Sequence, residues 1–159
     1  MLSYQEVSEI DDELYQFHIR QNVYYQLAKE VITRESLIED MQVPEGFDES
    51  GHHIVRGYLN DVMVALIDYQ KGYRYSMEHD DKCVWIGLFL VDQSYQKKGI
   101  GTVMLQEFLD EFKNDCQRVQ LACLENNYVG LAFWKKLGFS EIANSKYGDL
   151  PVIVMEKLI

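Results

Sequence analysis

Proline is nearly absent. The 159 residues hold only Pro44 and Pro151, too few for rigid spacers or an extended linker. No low-complexity stretch and no internal repeat appears. The longest apolar run, "CVWIGLFLV" from Cys83 to Val91, is about half the length needed to span a bilayer. The opening "MLSYQEVSEIDDE" is acidic and lacks the basic-then-apolar layout of a signal peptide. Cysteine is scarce and odd in number: Cys83, Cys116 and Cys123. Two of them lie in strand-like apolar runs, which reads as buried thiols in a reducing, cytoplasmic setting. Positive charge is short as well, with 15 Lys+Arg against 26 Asp+Glu for a net charge of −11. That balance excludes the basic footprint a nucleic-acid partner requires.

What is present suits one globular domain spanning residues 1–159, since 47% of the chain is apolar and the length allows a full core. The charge is unevenly spread. Residues 1–81 carry 17 acidic and 6 basic residues, and residues 82–159 carry 9 of each. Two readings stand: a solvated acidic surface that aids solubility, or a first half that meets a cationic ligand while the second meets an anionic one.

Along the chain, "LSYQEV" reads as a first strand, and helical patterning runs from Asp11 towards Lys29. Thr33, with Glu35 and Ser36, offers N-cap chemistry for a second helix that Pro44 and Gly46 end. "HHIVRGYL" and "VMVALIDY" flank the turn-forming pair Asn60-Asp61, which predicts an antiparallel hairpin, with "YQKGY" as the next turn. "CVWIGLFLV" then reads as a buried central strand. Ile100, Met104, Phe108 and Phe112 repeat at the spacing of one helical face. "RVQLACL" follows as a strand, "NNYVGLAFWKKLG" as a helix capped by Gly138, and "PVIVMEKLI" as a closing strand. The order predicts an α+β fold around one mixed sheet.

Between the central strand and the long helix stands "SYQKKGIG". It lacks the G-x-G-x-x-G of a dinucleotide fold and the G-x-x-x-x-G-K-[ST] of a phosphate loop. Two readings remain, a tight turn or a diphosphate cradle. For the cradle, Gly99 and Gly101 let a ligand approach the main chain, and the N–H groups of Lys98 to Thr102 open a helix whose dipole favours negative charge. Lys97 and Lys98 add charge at the rim.

The second half carries a resemblance. Gln96-Lys97-Lys98-Gly99-Ile100-Gly101 resembles the [Q/R]-x-x-G-x-[G/A] signature of the GNAT superfamily of acyl-CoA-dependent N-acyltransferases. Asn127, followed by "AFWKKLGF" from Ala132 to Phe139, resembles that family's later signature, in the form found in a bacterial subset. The resemblance covers the chain from about Ile54 onward. It implies the GNAT fold, a single mixed central sheet of six to seven strands flanked by about four helices, with splayed central strands. It also implies acetyl-CoA as co-substrate and no metal. Gln96, Lys97, Lys98, Gly99, Ile100, Gly101 and Thr102 would take the diphosphate. The main chain of Phe89, Leu90 and Val91 would pair with the pantetheine arm, a main-chain N–H near Val91 would meet the thioester oxyanion, and Asn127, Trp134 and Lys135 would complete the coenzyme contacts. Asn127 is equally well read as an N-cap.

Two departures from the family pattern bear on the chemistry. Many members carry Tyr where Trp134 stands, and an indole N–H donates a hydrogen bond without giving up its proton. Trp134 therefore either steadies the sulfur or serves as a core aromatic. Some members carry Glu where Trp85 stands, so the base is missing from that place. Deprotonating an amine of pKa about 10.4 at pH 7 costs roughly 4 to 5 kcal/mol, and a group must accept that proton. Asp68, which breaks an apolar run near its end, is the leading candidate, although a strand-end turn would use an aspartate too. Tyr69, Tyr73 and Tyr75 supply aromatic walls or, for Tyr73, a proton.

Adjacent His52 and His53 face opposite ways on a strand and find no third ligand, which argues against a metal. Cys123 reads as structural, not as an acyl-carrying nucleophile. The resemblance thus implies an N-acetyltransferase working by direct attack without an acyl-enzyme. The acidic first half points to a small cationic amine as acceptor. The alternatives are a protein or peptide N-acetyltransferase, or a non-catalytic acyl-CoA-binding sensor. The expected partners are a small-molecule amine and, because family members often pair, a homodimer, with no nucleic acid and no membrane.

Overall fold

Asn60 and Asp61 both take left-handed backbone angles, φ 51° and 65°, as a two-residue hairpin turn requires. They join β2 (His52–Leu59) to β3 (Val62–Arg74). The structure, a computed structural model, describes all residues from Met1 to Ile159. The remaining elements are β1 (Leu2–Glu6), α1 (Asp12–Arg20), α2 (Asn22–Leu27), α3 (Arg34–Asp40), β4 (Glu78–Val91), α4 (Ile100–Phe112), β5 (Arg118–Leu124), α5 (Tyr128–Lys136), β6 (Ser140–Tyr147) and β7 (Leu150–Leu158). The seven strands form one sheet in the order β1-β2-β3-β4-β5-β7-β6. β4 and β5 run parallel, while β1–β2, β5–β7 and β6–β7 are antiparallel, so the sheet is mixed as expected. There are five α-helices, where four were expected. No helix is long and apolar enough to cross a membrane.

Two compact units share the chain in alternating segments: Met1–Tyr69 with Leu88–Leu105, and Gln70–Gly87 with Gln106–Ile159. In the first, β1 pairs with β2 from Leu2↔Leu59 to Glu6↔Val55. Asp11 caps α1 by accepting from the Leu14 N–H at 2.9 Å, and Asp12 and Glu13 suit the positive end of its dipole. The single helix expected from Asp11 towards Lys29 is broken at Gln21, which leaves helical geometry at φ −87°, ψ 48°. Its side chain donates to the Phe17 carbonyl and accepts from the Gln93 N–H, both at 2.9 Å, so a partner far along the chain overrides local propensity. Thr33 and Ser36 form the anticipated capping box on α3. That helix ends at Met41, ahead of Pro44 and Gly46. Leu14, Phe17 and Leu37 from the helices pack with Ile54, Met63, Leu66 and Leu90 from the strands. Burial of a side chain such as Phe17 contributes about 2 kcal/mol of transfer free energy.

In the second unit, the expected turn at "YQKGY" is strand. Gly72 passes through φ +100° within β3, and the chain reverses instead at Tyr75–Met77, where Ser76 and Met77 have φ 68° and 61°. β4 runs parallel to β5 from Cys83↔Arg118 to Ile86↔Leu121, where their register ends, while β5 stays paired with β7 as far as Leu124↔Val152. All three cysteines are free and buried. On α4, Ile100, Met104, Phe108 and Phe112 are all buried, as their spacing predicts.

Candidate active site

Past Leu90, which is buried in the first unit's core, the chain turns at Val91 and Asp92 into the glycine loop. The Val91 carbonyl accepts from Gln96 Nε2 at 3.1 Å. Buried Asp92 donates its N–H to the Val64 carbonyl at 2.7 Å. Its carboxylate accepts from the Ser94 N–H and hydroxyl and from Arg20 Nε at 3.0 Å. Burial works against the charge on Asp92, yet these bonds hold its pKa below the ordinary value. Together with the Gln21–Gln93 bond, Arg20 and Asp92 fasten the start of the loop to the α1–α2 junction. The sequence reading missed Asp92, Arg20 and Gln21, although an Asp-x-Ser after an apolar run is a turn signal.

The loop itself is shaped for an anion. Lys97 and Gly99 have φ 63° and 83°. The first internal bond of α4 runs from the Val103 N–H to the Gly99 carbonyl at 3.1 Å, which leaves the amides of Ile100, Gly101 and Thr102 ahead of the helical ladder. A Cβ built on Gly99 meets nothing within 4 Å, so the main chain there borders open space. Lys97 and Lys98 are exposed, and Lys98 Nζ stands 5.3 Å from the Tyr95 ring centroid. These groups fit a diphosphate: exposed amides at a helix N-terminus, flanking ammonium groups and room to approach.

Also in the first unit, Asp68 is not a lone carboxylate. Its Oδ1 lies 2.7 Å from His52 Nε2, with the two side chains 19% and 13% exposed. The hydrogen bond that His52 donates to Asp68 raises the His52 pKa above its ordinary value, against the opposing effect of desolvation. His52 lines a cleft of about 510 Å³ with Met41, Glu6, Glu49 and His53. His53 is bound by the Glu6 carboxylate and the Ser50 carbonyl and stacks on Tyr69 at 5.3 Å. Desolvation, and then the like charges of Glu30, Asp68 and Glu39, push the Asp40 carboxyl up to about 6. The sequence reading weighed His52 only as a metal ligand. A two-residue turn at Asn60-Asp61 already implied that residues 52–53 lie across from residues 68–69.

Tyr73, Asn127, Trp134 and Lys135 belong to the second unit. Tyr73 meets His79 edge-on at 5.4 Å. Asn127 does cap α5, its Oδ1 accepting from the Gly130 N–H at 3.0 Å. Trp134 is buried, with edge contacts to Phe133 and Phe139 at 5.1 Å each. Lys135 Nζ lies 3.8 Å from the Glu141 carboxylate. Burial pushes the Cys123 thiol up to about 11 and Cys83 to about 12, so neither carries a thiolate at neutral pH.

The sequence profile of the acetyltransferase (GNAT) family matches residues 10–139, reaching far ahead of Ile54, where the resemblance was expected to start. Spermine/spermidine N(1)-acetyltransferase of Bacillus subtilis (strain 168) is 26% identical over 101 residues, 62% of this chain. The match spans 66% of that protein, just under two thirds of its length. Among solved structures, aminoglycoside acetyltransferase AAC(6')-Ib in complex with coenzyme A has a TM-score of 0.78 at 17% identity, over 99% of this chain and 95% of that one. An acetyltransferase from Thermus thermophilus has a TM-score of 0.77 at 19% identity, over 99% and 97%. At these identities the likeness is one of fold.

Proposed function

Because this chain belongs to the GNAT acetyltransferase family, we propose that it moves the acetyl group of acetyl-CoA to the primary amine of a small cationic metabolite. The observation that carries the reading is the 96–102 loop, with helix amides ahead of the first bond of α4 and open space at Gly99. Gln96 to Thr102 would hold the diphosphate, and the main chain of Phe89 to Val91 would hold the pantetheine arm. When bound, acetyl-CoA supplies a thioester carbonyl open to attack by nitrogen. The protein's part is to orient the amine, remove its proton and keep the oxyanion near main-chain N–H groups. The high thiol pKa values support direct attack over an acyl-cysteine.

The acidic first half and the acid-lined cleft support a cationic acceptor. So does the relative named for spermine and spermidine. The test is thiol release from acetyl-CoA with spermidine, an aminoglycoside, a neutral amine and a peptide as acceptors, beside calorimetry with coenzyme A. Turnover of the cationic amines, with coenzyme binding weakened at least tenfold by Gly99→Val, is the expected result. Turnover confined to neutral amines or peptides would overturn the acceptor class. Failure of coenzyme A to bind would overturn the reading as a whole.

A further inference from the structure

Resting on the acetyl-transfer reading above, we propose that His52 takes the proton from the acceptor ammonium in the cleft it lines, with Asp68 as the positioning residue that orients its ring. Direct attack needs a neutral nitrogen, and each histidine of the chain can be weighed for the task. His18 is buried, its Nδ1 2.7 Å from the Tyr25 hydroxyl. His79 is exposed and paired with Asp81 at 3.0 Å. His53 is bound by the Glu6 carboxylate and the Ser50 carbonyl on the more exposed side of the strand. His52 and His53 both line the cleft beside a carboxylate, and of the two pairs His52–Asp68 is the more buried, at 13% and 19% exposed against 33% and 60%.

A carboxylate accepts only, so Asp68 fixes the proton of neutral His52 on Nε2, and a second proton taken up at Nδ1 gives an imidazolium with an acceptor on each side, Asp68 and the Met41 main chain. Met41, whose main chain also hydrogen-bonds His52, is the C-cap of α3 and lines the same cleft. Carbonyl groups at a helix C-terminus favour positive charge. An ammonium has three donors, enough for the Met41 carbonyl and Nδ1 together. The pair also stands on the face of the strand end. His52 shares a face with Ile54, and Asp68 shares one with Leu66. Ile54 and Leu66 pack in one cluster with Leu88 and Leu90 of β4.

The titratable groups around the ring are Asp68 on β3, Asp40 beside it on α3, Glu6 on β1, Glu49 before β2 and neighbouring His53. In the step itself, R–NH3+ passes one proton to Nδ1. The nitrogen then forms a C–N bond with the thioester carbonyl carbon, and the C–S bond breaks. The second N–H proton leaves with the sulfur as thiol, and the imidazolium releases its proton to water through the cleft. One amide, one free coenzyme thiol and one proton result.

The test is kcat against pH at saturating spermidine and acetyl-CoA for the wild type, Asp68→Asn and His52→Gln. Coenzyme A calorimetry on each protein checks that it is folded. The wild type should show an acidic limb centred above the ordinary histidine value. Asp68→Asn should move that limb down by about one pH unit and lower the plateau. His52→Gln should abolish the limb and cut kcat by about 100-fold or more while coenzyme A still binds. Wild-type kcat in His52→Gln, or an unmoved limb in Asp68→Asn, overturns the assignment and leaves acetyl transfer standing. If His52→Gln does not bind coenzyme A, the Asp68→Asn profile decides. Silence of the wild type with every amine overturns the acetyl-transfer reading, and this inference with it.

Discussion

His18 shows what burial does to a titrating group when no charge compensates it. The side chain is 4% exposed, its partner is the neutral Tyr25 hydroxyl, and burial lowers its pKa to about 4. The unfolded chain takes up the proton near pH 6.5, so stability is full above that value and drains as pH falls towards 4. The difference amounts to about 3 kcal/mol at most. Urea midpoints should therefore fall across that window in the wild type and fall less in His18→Gln, whose overall stability is lower. Equal slopes in the two proteins would remove His18 as the source. His52 acts in the opposite sense. Its raised pKa makes the Asp68 pair stabilising below the unfolded value, and that contribution is lost as pH rises through the folded one.

At the scale of elements, α5 joins two constraints in one turn. Asn127 caps it through Gly130, and a Cβ at Gly130 would stand 2.5 Å from Asn127 Nδ2. Alanine for glycine in a helix ordinarily gains about 1 kcal/mol. Here Gly130→Ala should lose stability instead, because the cap must move. Asn127→Ala should cost about 1 kcal/mol, and the double variant should cost less than the sum, read by denaturant unfolding. Additive costs would show that the cap and the glycine are independent.

The same elements show what a sequence displays. The cap at Thr33, the cap at Asn127 and the buried stripe of α4 rest on neighbours within a few residues, so they could be read in advance. The break at Gln21 and the extension of β3 past Gly72 depend on distant partners. Gln93 meets Gln21, and Gln120 accepts from the Tyr75 N–H at 2.8 Å beside the true reversal. The site divides along the same line. The glycine loop is a contiguous motif, so its turn and the helix start after it could be read in advance, whereas the Arg20–Asp92 bond spans 72 residues and the His52–Asp68 pair shows only once the hairpin between them is folded.

For the whole molecule, charge is the property that acts at range. The excess of acid lies entirely within residues 1–81, and such a field draws cations over roughly a screening length, about 30 Å at 0.01 M salt and about 8 Å at 0.15 M. Raising salt between those values should increase KM for spermidine several-fold with kcat nearly flat, and should leave a neutral amine's KM unchanged. A KM for spermidine indifferent to salt would mean that contact, not field, selects the acceptor. The alternation of chain between the two units has a consequence during translation. The first unit needs Leu88–Leu105, and the second begins with Gln70–Gly87 but needs Gln106–Ile159. A ribosome must therefore release the opening segment of the second unit before the first is complete. A stop codon near Gly87 would yield fragments of both units and the whole of neither. No single cut in the gene would give two sound halves.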